Sequence, residues 1–166
     1  EAGIAGRGPT LARPMPTFKT AYLIHGDDHG RVGERRSRLR ALAETQGGGG
    51  VEHLEGDDAT PEAVAAALCA MTFATGRRFV IVDGVERWKD AEVTEHLVGV
   101  LASPDPETTV AFFAREDKRA KAPAALVKAV RAAGGDVAQE QSRSMKELPS
   151  WVIEQAGRLL QRVRDR

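Results

Sequence analysis

The chain has 166 residues, enough for one domain or slightly more, and at this size roughly 70% of the unfolded surface can be buried, so a core needs no covalent staple. Its 24 Lys and Arg balance its 24 Asp and Glu, which excludes a strongly basic, general nucleic-acid binder but leaves room for a local basic patch. With 42% hydrophobic and 29% charged residues it is not a disordered chain, and no apolar run reaches the ~18 residues that a membrane helix needs. Residues 1–17 are rich in Gly, Pro and Arg and read as a disordered leader without the apolar core of a signal peptide. The first residue is Glu1, which puts the natural start upstream or at Met15.

The ordered part is expected to begin near Phe18. Residues 21–25 form a short apolar run ending at Gly26 and read as a buried strand. A helix is predicted over 31–44, where Val32, Leu39, Leu42 and Ala43 recur at helical spacing and the arginines take the other face. Glycines 47–50 break the pattern and predict a flexible surface loop, followed by a second strand at 51–54. Thr60, Pro61 and Glu62 combine an N-cap hydroxyl, proline at the first helical position and an acid at the positive dipole end. The helix they open is predicted to reach Met71, with Val64, Leu68 and Met71 inward. Residues 79–82 are the clearest strand. A helix over 91–101 turns Val93, Leu97 and Val100 inward and stops at Pro104 and Pro106. A strand at 109–113, a helix at 123–133 with Gly134 and Gly135 as its stop, and a short strand at 136–138 complete the unit. A last helix opens at Leu148 and runs to about Leu160.

Strands alternate with helices and no hairpin signal joins neighbouring strands. The pattern predicts an α/β fold: an open, mainly parallel sheet of about five strands with flanking helices. The domain is placed at 18–146, and 147–166 reads as the start of a second, helical domain cut short.

Ligands of such sheets sit beyond the carboxyl ends of the strands. The first loop there contains Gly26, Asp27, Asp28, His29 and Gly30, in the place of a phosphate-binding loop. The chemistry opposes phosphate. A P-loop needs glycines five apart followed by Lys and Ser or Thr. Here the lysine is missing, and each of Asp27 and Asp28 would repel a phosphate charge at ~5 Å by ~3 kcal/mol at an effective dielectric near 20. The loop reads as a degenerate, non-functional phosphate loop in which Asp28 or Asp27 caps the following helix. Asp83, ending a strand as a magnesium-binding acid does, is followed by Gly84 instead of a catalytic acid and reads as structural. Asp27, Asp28 and Asp83 also match the acids of a phosphorelay receiver, but Ala114 and Gln139 stand where that fold needs a hydroxyl residue and a lysine. His25, His29, His53 and His96 lack metal-site spacing. Cys69, the sole cysteine, excludes an intramolecular disulfide and a cysteine-rich zinc site; it reads as a small packed residue and agrees with a reducing cytoplasm. No catalytic residues, metal site or cofactor emerge.

Four segments in order, 21–28, 70–82, 109–113 and 147–152, resemble the delta subunit family of the bacterial DNA polymerase III clamp loader, and the wording of 73–89 is most similar to its actinobacterial branch. The resemblance implies an AAA+-like N-terminal domain with a decayed nucleotide site. It implies a non-enzymatic accessory subunit of the polymerase complex that binds and opens the sliding clamp, the polymerase III beta subunit, in the cytoplasm at the replisome. The other loader subunits would be met through C-terminal domains that this chain lacks, and DNA only indirectly or weakly. The family's clamp-binding element falls on Met71, Thr72, Phe73 and Ala74; many members carry a second large apolar residue where this chain has Ala74. Arg77 and Arg78 are a candidate basic contact beside solvated surface as the plainer alternative. Trp88 and Trp151 read as packing residues. Two other functions remain open on the residues alone: an autonomous nucleotide-binding protein and a receiver-like switch.

Overall fold

Residues 79–82 and 108–114 are almost uninterruptedly apolar, the signature of strands covered on both faces. In a computed structural model, which describes residues 17–142, they lie at the centre of a five-stranded sheet. The strands are β1 (Ala21–Gly26), β2 (Val51–Leu54), β3 (Arg78–Asp83), β4 (Thr108–Arg115) and β5 (Asp136–Glu140). The order is β2-β3-β4-β1-β5 and every pairing is parallel, with Val80 opposite Val110 and Ala21 opposite Val110 on its other side. The fold is α/β, as the sequence predicts. Readings that fall on 1–16 and 143–166, including the leader, Trp151 and the final helix, lie outside the described residues.

The period of two divides the core. Leu23, Val80, Val82, Val110 and Phe112 face one side, where α2 (Pro61–Cys69), α3 (Asp90–His96), α4 (Val98–Ala102) and α5 (Ala124–Ala132) cover them. Ile24, Phe79, Ile81, Ala111 and Phe113 face the other side, which α1 (His29–Gln46) covers with Val32 and Ala43. Trp88 is buried as expected, edge-on to Phe112 at 5.9 Å, with its indole N–H donated to the Ala59 carbonyl at 2.7 Å.

Several local expectations need correction. The predicted helix over 91–101 is two helices meeting at Leu97 (φ −109°), and Leu101 joins Val93 and Leu97 inward while Val100 is only half-buried. Leu42 is exposed, because Ala43 takes the inward position of that turn. β5 runs two residues further than expected, to Glu140. α2 stops at Cys69, so Cys69 is exposed and Met71 is outside the helix altogether. Glycines 47–50 are a packed turn instead of a free loop: Gly49 is buried against residues 76–78. Among the described residues no helix is long and apolar enough to cross a membrane.

Candidate functional site

At the carboxyl end of the sheet, the loop from β1 to α1 is closed by the chain itself. Asp28 accepts the Arg31 amide at 3.1 Å and caps α1. The amide of Asp28 is given to the Glu140 carbonyl at 3.1 Å. Gly26 (φ +148°) lies so close to β5 that a Cβ there would sit 1.8 Å from the Glu140 carbonyl oxygen, so no other residue fits. Asp27 turns away and accepts the Ser142 amide at 2.6 Å; that bond holds its carboxyl below the ordinary 3.8. Gly30 is exposed in the first turn of α1. A helix N-terminus attracts anions through free amides and its dipole. Here one carboxylate of the chain already occupies that position.

The other acids do not converge with these two. Asp83 is buried and ion-paired to Arg36 of α1, with Arg115 at 3.4 Å. Two guanidinium groups thus stand where a cation would balance it. Behind the loop, His25 donates from Nδ1 to the buried Glu116 at 2.9 Å, and His29 donates from Nε2 to the Glu116 carbonyl at 2.8 Å. Glu116 also accepts the Ala122 amide at 2.9 Å. Sequence reasoning left this His–Glu network unmarked, since Glu116 lies 91 residues beyond His25 and only the parallel pairing of β1 with β4 joins them.

The opposite end of the sheet carries a different feature. Between α2 and β3, residues 70–76 stand in solvent, and Met71 and Phe73 are 93% and 102% exposed. Thr72 and Ala74 are exposed beside them, the Thr72 hydroxyl accepting the Ala74 amide at 3.1 Å. A wholly exposed phenylalanine forfeits ~1.5–3 kcal/mol of burial, so its place at a loop crown suits a partner's pocket. Arg77 and Arg78 face inward in part. Arg77 donates to the Thr109 hydroxyl at 2.9 Å, and Arg78 to the Ala67 carbonyl at 2.6 Å and to Glu52 at 2.5 Å. Both guanidinium groups are therefore engaged at home. Sequence reasoning also missed Gly48, Gly49 and Glu52 as supports of this loop, although a run of four glycines entering a strand was visible.

No protein-family model and no curated protein matches the sequence. Solved structures do. The Bacillus subtilis DNA clamp loader delta protein YqeN is 23% identical, with a TM-score of 0.55 over 81% of this chain and 42% of that one. A DNA polymerase III gamma subunit-related protein from Thermotoga maritima is 17% identical, with a TM-score of 0.50 over 82% of this chain and 45% of that one. The chain therefore shares its α/β fold, a parallel sheet with flanking helices, with the matched parts of these two proteins. The chain spans less than half the length of either structure.

Proposed function

We propose that the chain acts in DNA replication as the delta subunit of a bacterial clamp loader. It docks on the sliding clamp through Met71, Thr72, Phe73 and Ala74, favours the open ring, and hydrolyses no ATP of its own. One observation carries the reading: Phe73 stands fully exposed on a loop whose two ends are tied to the body of the domain. The likeness of the fold to the B. subtilis clamp loader delta protein supports it. So does the phosphate loop, where Asp28 holds the helix amide that a phosphate would need. On this reading the remaining loader subunits are met through the part of the longer protein that the chain does not span, and DNA is met through them.

Calorimetry of the chain with its organism's own sliding clamp tests the proposal. Binding at ~1 μM or tighter, about −8 kcal/mol, is expected for the unaltered chain. Phe73→Ala is expected to weaken it by at least ~2 kcal/mol, about 30-fold, as an aromatic anchor in a pocket does. Equal binding by the two chains would sink the reading.

A further inference from the structure

We infer that the turn formed by glycines 47–50, together with Arg78, is a seat that fixes the shape of the docking loop before the partner arrives. The inference rests on the docking reading above and names the residues that set its affinity. Ordering a free backbone costs roughly 1–2 kcal/mol per residue, so a limp loop of this length would consume what one aromatic anchor supplies. The loop must therefore be shaped in advance to bind well.

Both ends of the loop are held by identifiable atoms. Arg78, the first residue of β3, reaches back across the loop's base to the Ala67 carbonyl at 2.6 Å, in the last turn of α2. Its other terminal nitrogen meets Glu52 of β2 at 2.5 Å, so one fork joins helix, strand and strand. Lysine has one ammonium and cannot span both directions at once. On the far side the Gly49 amide donates to the Arg77 carbonyl at 3.0 Å. A Cβ on Gly49 would lie 2.5 Å from the Gly76 carbonyl oxygen and 2.9 Å from Arg77 C, and one on Gly48 would lie 3.0 Å from the Thr75 carbonyl oxygen. These atoms are backbone of the loop itself. Gly76 has φ +107°, a turn only glycine makes freely, and lies against Gly48. Gly48, Gly49 and Gly76 are thus spent on a close approach of two backbones.

Full-length chains carrying Gly49→Ala, Arg78→Lys, Phe73→Ala and, as a control in open space on α1, Gly33→Ala are titrated against the clamp, beside a peptide of residues 69–77. Gly49→Ala and Arg78→Lys are expected to bind about tenfold more weakly and the peptide at least about a hundredfold more weakly, with Gly33→Ala unchanged. A nitroxide on Cys69, the chain's only thiol and exposed just before the loop, is expected to gain mobility in Gly49→Ala and Arg78→Lys with no clamp present. If Gly49→Ala folds and binds like the unaltered chain while Phe73→Ala does not bind, the seat is refuted and the docking loop stands. If Phe73→Ala binds normally, the docking reading fails and takes the seat with it. Should Gly49→Ala not fold, the peptide decides: affinity equal to that of the whole chain overturns the inference.

Discussion

Phe73 and Asp27 carry opposite kinds of information at the scale of single residues. Phe73 contacts nothing that folding needs, so Phe73→Ala should leave the unfolding free energy from urea titration within about 0.5 kcal/mol of the unaltered chain while clamp binding weakens at least about 30-fold. A marked loss of stability would mean that the ring packs against the domain. Asp27 is the reverse, an acid engaged with the chain's own backbone. The Ser142 amide lowers its pKa, so its contribution is present above 3.8, the ordinary value, and is lost as the pH falls through the lower folded value. The amide resonance of Ser142 should titrate with a midpoint below 3.8, and Asp27→Asn should abolish that step. A midpoint at or above the ordinary value would remove Asp27 as the anchor of the chain after β5.

Elements show where sequence pattern suffices and where it stops. The sequence leaves Asp28 or Asp27 as the cap of α1, and geometry chooses Asp28 because its carboxylate meets the Arg31 amide while Asp27 faces Ser142. Asp28→Ala should therefore lower the unfolding free energy by about 1 kcal/mol with an unchanged urea slope, and Asp27→Ala should leave the helix cap intact. The strands were legible because burial on both faces removes polar residues from β3 and β4 alike. The start of α2 was legible because Thr60 and Pro61 act through their own backbone: the Thr60 hydroxyl accepts the Ala63 amide at 3.1 Å. Its end was not, since Arg78, eleven residues beyond Ala67, takes a carbonyl of the last turn. The glycine turn failed for a similar reason. Composition records that four side chains are missing, and cannot tell whether solvent or another backbone fills the space. The family resemblance singles out Phe73 and Met71, whereas periodicity alone places Met71 in the helix.

At the scale of the whole molecule, the two loops of interest lie at opposite ends of a parallel sheet. The proposed docking loop precedes β3, and the loop capped by Asp28 follows β1. Six-residue strands at ~3.3 Å per residue put about 20 Å between the two ends, so Phe73 and the carboxyl edge cannot share one contact. A rigid domain with one exposed anchor can hold a ring without opening it. Opening requires that the anchor's pocket, or the surface around it, be bound more tightly when the ring is broken, and the equilibrium moves only by that ratio of affinities. The chain should accordingly bind a clamp variant with a disrupted ring interface at least about tenfold more tightly than the closed ring, in titrations that differ only in the clamp. By reciprocity the same factor measures how far the bound chain promotes opening. Equal affinities would leave the chain a tether, and the work of opening would then fall to parts of the loader outside this domain.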